Sequence, residues 1–298
     1  MAVLVGVGML VAARPPVDVL GSFGSLLQTF LPWSGVGVLV LLALAALRRS
    51  AVTAVAVLVP AVVWCSLFGG MLVDKRGAGA AGGDLTVVSH NVHDGNPDPA
   101  GTARSLTASG AQVIALEELS PRTAPAYERA LAESHPYHSV QGTVGLWSTY
   151  PLRDVRPLAI MPWTRALRAT ADTPKGPLAV YTAHLASVRV SLAKGFNTAR
   201  RNEAAVALAA AVRAEPLDRV VVVGDFNGTT DDSALAPVTA GLRSAQEEAG
   251  AGFGFSWPAS FPVTRIDQIL VKGVTAVSAW TLPRTASDHL PVAATLRW

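Results

Sequence analysis

Residues 220–228 read Val-Val-Val-Val-Gly-Asp-Phe-Asn-Gly. Four consecutive β-branched residues are typical of a strand that is buried on both faces. The strand is expected to end at Gly224, so that Asp225 and Asn227 follow in the turn. Side chains two positions apart on an extended backbone point the same way, which would present a carboxylate and an amide together at one sheet edge. Asp and Asn also form ordinary hairpin turns, and this stretch alone fits both interpretations.

The first quarter of the chain is strongly apolar and carries only four charged residues up to Val73. It contains three apolar runs, Val3–Ala13, Val36–Leu47 and Ala51–Val73. The last run has 23 residues, enough for a helix to cross a hydrocarbon core about 30 Å thick. The first run could instead belong to a signal peptide, but no basic residue precedes it and two more runs follow. We therefore predict a membrane region over residues 1–76 with about three transmembrane helices.

The orientation in the membrane follows from basic residues. Arg48 and Arg49 lie in a very short loop between the last two apolar runs, and short loops that carry Lys or Arg stay in the cytoplasm. This predicts a multi-pass protein of the cell membrane whose C-terminal part is extracytoplasmic, although Lys75 and Arg76 oppose that topology. Residues 77–84 are rich in Gly and Ala and are predicted to form a flexible linker.

The remaining residues, 85–298, have the composition of an ordinary globular domain, which we call the C-terminal domain. The only cysteine, Cys65, lies in an apolar run, so this domain forms no disulfide. The chain has a net charge of +3, which is compatible with a polyanionic substrate, and no basic stripe indicates a nucleic-acid interface. Three arginines on the predicted helix Thr198–Ala214 are expected to be solvated: Arg200, Arg201 and Arg213.

Predicted strands and helices alternate in the C-terminal domain without a regular βαβ repeat, which favours a layered α/β sandwich with mixed sheets. Six predicted strands carry polar groups at an end: Asn91, Glu118, His184, Asp225 with Asn227, Asp267, and Asp288 with His289. A site with many oxygen ligands and few histidines suits Mg²⁺ or Mn²⁺ better than zinc. The sequence lacks the motifs typical of zinc hydrolases, serine hydrolases and P-loop nucleotidases.

Two adjacent carboxylates, Glu117 and Glu118, follow the predicted strand Val113–Leu116. Neighbouring side chains in a strand face opposite ways, so only one of the two is expected to point into a site. We assign that position to Glu118.

Residues 85–298 resemble the endonuclease/exonuclease/phosphatase superfamily, which includes DNase I-like nucleases, sphingomyelinases and inositol polyphosphate 5-phosphatases. The resemblance is carried by six motifs in the family's order: Ser89-His90-Asn91-Val92, Val113-Ile114-Ala115-Leu116-Glu117-Glu118, Thr182-Ala183-His184-Leu185, Gly224-Asp225-Phe226-Asn227, Ile266-Asp267-Gln268-Ile269 and Ser287-Asp288-His289. It implies a four-layered α/β sandwich that hydrolyses phosphoester bonds with a divalent metal.

The resemblance also implies a metal site. Glu118 corresponds to the main metal ligand, with help from Asn91 and Asp288. Two positions depart from the family's pattern. Glu117 stands where the family usually has Gln and would add a negative charge near the site, and Gln268 stands where an aromatic residue or His is common.

The remaining motif residues correspond to groups that act on the phosphate or on water. Asp225 would align or deprotonate the attacking water, and Asn227 would hold the phosphate or the water. His289 would contact the scissile phosphate and be oriented by Asp267, while His184 would be a second imidazole at the phosphate. A metal ion and imidazole donors together spread the negative charge of the transition state.

The sequence therefore predicts a membrane-tethered, metal-dependent phosphoesterase. Its substrate would be a phosphoester in nucleic acid or in a phospholipid head group, and its N-terminal helices would contact the lipid bilayer. The alternative is an inactive binding or scaffold domain of the same fold. Such a domain is expected to lose the metal Glu or the terminal His, and this chain keeps Glu118 and His289.

Overall fold

The computed structural model describes residues 2–13, 22–76, 82–191 and 195–298. Most of the predicted linker, residues 77–81, lies outside the described residues. The N-terminal part forms four helices, α1 (Ala2–Ala13), α2 (Ser22–Phe30), α3 (Ser34–Leu47) and α4 (Ala51–Phe68), with 3₁₀ turns at Leu31–Trp33 and Gly69–Met71.

Among the described residues, two helical segments are long and apolar enough to cross a membrane. They are Phe23–Leu47, with 25 residues, and Ala51–Met71, with 21 residues. We call this pair the helical hairpin. Only 22% and 17% of their most apolar windows are buried, which is unlike the core helix of a globular protein. The first apolar run forms α1, whose 12 residues extend about 18 Å, so its role as a span stays a prediction.

The C-terminal domain contains the fourteen strands of the described part of the chain. They are β1 (Leu85–Asn91), β2 (Val113–Glu117), β3 (Tyr137–Gln141), β4 (Val144–Ser148), β5 (Leu152–Pro157), β6 (Ala166–Thr173), β7 (Gly176–Ala183), β8 (Arg189–Ser191), β9 (Gly195–Asn197), β10 (Val220–Asp225), β11 (Arg243–Ser244), β12 (Asp267–Lys272), β13 (Thr275–Thr281) and β14 (Val292–Arg297). Twelve of them form two six-stranded mixed sheets, with the orders β13-β14-β1-β2-β4-β3 and β11-β12-β10-β7-β6-β5, and β8 pairs with β9.

Helices cover the outer faces of both sheets. The first sheet packs against α5 (Pro99–Thr107) and α6 (Ala124–Leu131), and the second packs against α7 (Ala199–Arg213) and α8 (Ala236–Thr239). A short helix, α9 (Ala245–Ala249), contacts strands of both sheets at one edge. A third apolar cluster fills the space between the sheets. This arrangement confirms the predicted four-layered α/β sandwich.

The valine run of β10 lies at the centre of the second sheet, as its composition predicts. Val221 and Val223 pack into the cluster between the sheets, whereas Val220 and Val222 pack towards α7. The strand continues to Asp225 instead of ending at Gly224. Gly224 has a φ of +140°, and a Cβ there would lie 1.8 Å from the carbonyl oxygen of Ala183, so this position requires glycine.

Strand pairing determines where the polar strand ends lie. β10 runs parallel to β7 and antiparallel to β12, which sets Asp225 directly opposite Asp267. In the first sheet, β1 runs parallel to β2, and Asn91 lies opposite Glu117. The carboxyl ends of β1, β2, β7 and β10 therefore carry the predicted site residues at one edge of the sandwich.

Polar contacts attach the helical hairpin to the C-terminal domain. Ser25 donates a hydrogen bond to Asp232, and Gln28 accepts one of 2.9 Å from the backbone N–H of Ser233. Arg201 is 1% exposed and forms an ion pair of 2.6 Å with Asp232. The prediction that Arg201 is solvated was therefore wrong, because its guanidinium is needed where the hairpin packs on the domain. Arg200 is exposed, as predicted.

Candidate active site

A carboxylate–imidazole pair forms the floor of the site. The Nδ1 atom of His289 lies 3.0 Å from Oδ2 of Asp267, and Ser256 donates a hydrogen bond of 2.5 Å to the same oxygen. Burial alone would lower the pKa of the His289 ring, but the adjacent Asp267 carboxylate outweighs it and the pKa rises to about 10. His289 is therefore protonated at neutral pH, with Asp267 holding the Nδ1 side of the ring.

Asp225 lies between the two sheets at the centre of the site. Its Oδ2 atom accepts a hydrogen bond of 3.0 Å from Nδ2 of Asn91 and lies 3.9 Å from Nε2 of His289. Burial raises the pKa of the Asp225 carboxyl to about 7, although the His289 imidazolium opposes the rise. A carboxyl with a pKa near neutral pH is suited to accept a proton from water.

Glu118 reaches the same region from the end of β2. Its backbone has a φ of +60°, so the chain leaves the strand at this residue and the alternation of side chains stops. The Oε1 atom lies 3.8 Å from Nε2 of His184, and Oε2 lies 3.8 Å from Nδ1 of His93. The carboxylate is partly exposed, with a side-chain accessibility of 29%, and so remains open to a ligand.

Glu117 also faces the site, which corrects the prediction that only one of the two adjacent carboxylates would do so. It is fully buried beneath the site, and its Oε1 atom accepts a hydrogen bond of 3.0 Å from Ser89. Burial, followed by the charge of Asp267, raises the pKa of Glu117 well above its ordinary value. The surroundings of Glu117 therefore favour its protonated form, which would reduce the extra negative charge expected from the sequence.

His184 lies between the two acidic groups. Its Nε2 atom is 3.5 Å from Oδ2 of Asp225, and within the described part of the chain neither ring nitrogen has a hydrogen-bond partner. Burial, and then the charge of Arg165, lowers the pKa of His184 well below its ordinary value. The ring is neutral and can present one N–H or one lone pair to a ligand.

Asn227 is positioned differently from the sequence prediction. Its φ is +49°, so the extended-backbone argument that set its side chain beside that of Asp225 does not apply. Its backbone N–H donates a hydrogen bond of 2.8 Å to Oδ1 of Asp225, and its Nδ2 donates one of 3.1 Å to the carbonyl of Leu185. Asn227 thus links the ends of β7 and β10, and its remaining amide oxygen is available.

The three predicted metal ligands are unequal in their surroundings. The amide of Asn91 is engaged twice, since Oδ1 accepts a hydrogen bond of 3.0 Å from the N–H of His93 while Nδ2 bonds to Asp225. The side chain of Asp288 is 53% exposed, and its Oδ1 lies 3.5 Å from Nδ1 of His93. His93 therefore lies between Asp288 and Glu118.

A second group of donor atoms lies close together in the described part of the chain. One ligand atom each from Asp225, Asp267 and His289 lies within 4.8 Å of the others. Asp267 is already bonded to the protonated ring of His289, which leaves Asp225 as the acidic member free to bind a cation. Together with Glu118, Asp225 gives a set of hard oxygen donors, which fits Mg²⁺ or Mn²⁺ and not a soft metal.

Sequence reasoning missed several groups that contribute to the site. Arg165 donates a hydrogen bond of 3.0 Å to the carbonyl of His184, and its charge interacts with Glu118 and Asp225. His93 follows the Asn91 motif by two residues, and Ser256 lies eleven residues before its partner Asp267. His93 could have been found from its place in a polar strand end, but Arg165 and Ser256 carry no local signal because the tertiary fold brings them in.

Known proteins share this fold and motif set. The model of the Endonuclease/Exonuclease/phosphatase family matches residues 88–289, while no curated protein matches the sequence of the chain. A mannosyl-6-phosphatase from Bacteroides thetaiotaomicron is similar in structure, with a TM-score of 0.60 and 16% identity, over 72% of this chain and 100% of that one.

Two further solved structures are comparably similar. Humanized TDP2 from D. rerio has a TM-score of 0.59 and 21% identity over 72% of this chain and 99% of its own. Beta toxin from Staphylococcus aureus has a TM-score of 0.57 and 14% identity over 71% of this chain and 99% of its own. At these identities the likeness shows the fold, whereas the family model covers more than half of the sequence. The chain therefore belongs to the endonuclease/exonuclease/phosphatase family.

Proposed function

We propose that the protein is a membrane-tethered, metal-dependent phosphoesterase that hydrolyses its substrate by in-line attack of water. The observation that carries this proposal is the position of Asp225. Its carboxylate lies 3.5 Å from the neutral His184 and 3.9 Å from the protonated His289, so a proton acceptor and a cationic donor face one small space. Phosphoester hydrolysis needs both, because negative charge on the phosphate repels the nucleophile.

Each of the site residues has a separate role in the proposed reaction. Asp225 accepts the proton of the attacking water while the new O–P bond forms, and the bond to the leaving oxygen breaks on the opposite side of phosphorus. His289 donates its Nε2–H to a phosphate oxygen, and Asp267 keeps the ring charged and oriented. Neutral His184 provides a second donor to the phosphate without adding charge beside Arg165.

The metal would be held by Glu118, with Asn91 and Asp288 as additional oxygen donors and Asp225 at its side. A bound Mg²⁺ or Mn²⁺ supplies Lewis acidity, which spreads phosphate charge and favours the ionised form of water. The carboxylates at this edge outnumber the cationic groups, His289 and Arg165, and that excess favours a divalent cation.

A measurement on Glu118 tests the proposed activity. We expect Glu118→Gln in the full chain to lower kcat for a generic phosphodiester with Mg²⁺ by about two orders of magnitude or more, because the metal would lose its main ligand. The matched control is Glu133→Gln, since Glu133 is exposed beyond α6. Unchanged activity in the Glu118 variant would contradict the assignment, and binding of the phosphodiester without turnover by the wild-type chain would favour the scaffold alternative.

The helical hairpin supports a location at the membrane. Arg48 and Arg49 are exposed in its turn, about 20 Å along α3 from the residues that contact the C-terminal domain. Basic residues in a short loop favour the cytoplasm, so the C-terminal domain would lie on the opposite side. An external protease should then digest residues 85–298 in intact cells, whereas protection of these residues would contradict the topology.

The substrate would be a phosphoester within reach of a membrane. TDP2 from D. rerio was solved with a single-strand DNA product, and the Bacteroides relative is described as a mannosyl-6-phosphatase. Nucleic acid and phospholipid head groups are both candidates for this chain. Tethering to the bilayer favours the lipid.

A further inference from the structure

Aromatic side chains join the helical hairpin to the C-terminal domain. Trp33 stacks on Phe255 with ring centroids 5.8 Å apart, and Phe253 stacks on Phe255 at 5.2 Å. From α4, Trp64 and Phe68 approach Phe253 at 6.3 and 6.1 Å. We call this contact region the aromatic seam. Phe253 and Phe255 belong to the loop that precedes Ser256, the hydrogen-bond donor to Asp267.

An apolar cavity of about 510 Å³ lies in the aromatic seam, and all of its lining side chains are apolar. The indole N–H of Trp33 donates to the carbonyl of Val263, and that of Trp64 donates to the carbonyl of Pro32, each at 2.8 Å. Neither indole is left to bind water. Filling the cavity would take about 17 waters at ~30 Å³ each, and waters without polar partners are unfavourable. The cavity therefore favours an apolar occupant.

The position of the cavity indicates which apolar molecule can enter it. Val36 and Leu39 line it and are also 51% and 65% exposed, so it opens on the outer surface of the helical hairpin. If the hairpin spans a bilayer, the material at that surface is acyl chain. The cavity is thus continuous with the lipid-facing surface of both helices.

A second cavity of about 240 Å³ adjoins the apolar one, and the two share Pro32, Phe253 and Phe255 as a wall. Its lining is mixed, and we call it the polar cavity because charged side chains also line it. Lys75, Arg265, Asp231 and Glu247 line it. Arg265 lies 3.3 Å from Glu247, and Lys75 donates a hydrogen bond to the backbone carbonyl of Glu247. Two basic and two acidic side chains together have no formal net charge, which suits a zwitterionic head group better than an anionic one.

We propose that the aromatic seam binds a zwitterionic phospholipid, with an acyl chain in the apolar cavity and the head group in the polar one. This inference rests on the membrane location proposed above. The bound lipid would contact Phe255, the residue next to Ser256, and would therefore stabilise the loop that supports Asp267 and His289.

Photocrosslinking tests this proposal. The full chain carrying Glu118→Gln is reconstituted in vesicles of phosphatidylethanolamine and phosphatidylglycerol that contain a phosphatidylethanolamine with a diazirine on its acyl chain. Because Phe253 and Phe255 lie in the C-terminal domain, we expect crosslinks on both in addition to exposed hairpin positions such as Val52. Crosslinks confined to the hairpin would overturn the proposal. The variant removes the proposed metal ligand, so the result does not depend on catalysis.

A pocket-filling variant and a matched control sharpen the test. Ala61 lines the cavity, whereas its neighbour Val62 is 66% exposed and does not. Ala61→Phe should lower crosslinking at Phe253 by about tenfold, equivalent to ~1.4 kcal/mol, and Val62→Phe should leave it unchanged. Equal crosslinking in both variants would overturn the proposal. Should Ala61→Phe fail to insert, Leu39→Phe fills the same cavity from α3.

Head-group chemistry is tested separately with the same acyl probe on phosphatidylglycerol. The proposal predicts that labelling of Phe253 and Phe255 by the phosphatidylethanolamine probe exceeds labelling by the phosphatidylglycerol probe by about tenfold. Equal labelling would overturn the assignment of a zwitterionic lipid. If instead neither wild type nor variants hydrolyse any phosphoester while the crosslinks are found, the proposed activity fails and the lipid site stands.

Discussion

In the helical hairpin, large apolar side chains are exposed, with Val52 at 81% and Leu47 at 79%; in the C-terminal domain, Asp225 and Asp267 are 2% and 1% exposed. An exposed apolar surface of this extent is unfavourable in water and favourable in a bilayer. Buried carboxylates are costly in either setting unless they are paired or bind a cation. The proposed bilayer would explain the exposed apolar side chains of the hairpin, and the proposed cation would explain the buried carboxylates of the C-terminal domain.

If this comparison is right, replacing the buried ionisable groups of the C-terminal domain should remove activity. The largest effect is expected for His289→Ala. Loss of the cationic donor should lower kcat by about two to four orders of magnitude, measured as hydrolysis of a generic phosphodiester with Mg²⁺. Thermal unfolding should also move to lower temperature, because the buried Asp267 carboxylate loses its ionic partner and keeps only the hydrogen bond from Ser256.

The matched control is His138→Ala, because the His138 ring lies on β3 and is only partly buried. Near-normal kcat in the His289 variant would show that the buried imidazole is a structural group and would remove the contrast between the two regions.

A smaller effect, with a distinct pH signature, is expected for Asp267→Asn. Loss of a carboxylate that orients a functional imidazole typically lowers activity by about 10–100-fold. His289 must stay protonated, so activity falls as pH rises through its pKa of about 10. Asp225 must be ionised, so activity rises with pH through its raised pKa, which burial sets near 7 and a bound cation would lower.

Without the Asp267 charge, the pKa values of Asp225 and His289 both fall. The acid limb and the alkaline limb of the pH–rate profile should therefore both move to lower pH. An alkaline limb that stays in place would contradict the assignment of Asp267 as the group that keeps His289 protonated.

Much of this site could be predicted from sequence because strand periodicity is a local signal. The four valines of β10 are buried on both faces. The ends of β1 and β2 meet within one sheet and those of β7 and β10 within the other, as parallel pairing requires. Strand periodicity predicts only where these residues lie. The roles proposed for them come from the resemblance to the family.

The predictions that failed depended on tertiary contacts or on one backbone angle. The positive φ of Glu118 brings two adjacent carboxylates to one site, and no pattern of residue types encodes it. Arg201 occupies an ordinary helical position, and distant residues surround its guanidinium: Asp232 and the carbonyl of Asn227 in the C-terminal domain, and Ser25 of the helical hairpin.

The smallest effect of all is expected for Glu117→Gln, because burial raises the pKa of Glu117 and favours its neutral form, and Gln has the same shape. Together with Glu118→Gln it gives the most direct test of the central claim, that Glu118 holds a divalent cation at the edge of the sandwich. The measurement is Mn²⁺ binding to the full chain, followed by electron paramagnetic resonance. The account predicts loss of tight Mn²⁺ binding in Glu118→Gln and retention within about twofold in Glu117→Gln. Equal Mn²⁺ affinity in Glu118→Gln and the wild type would contradict it.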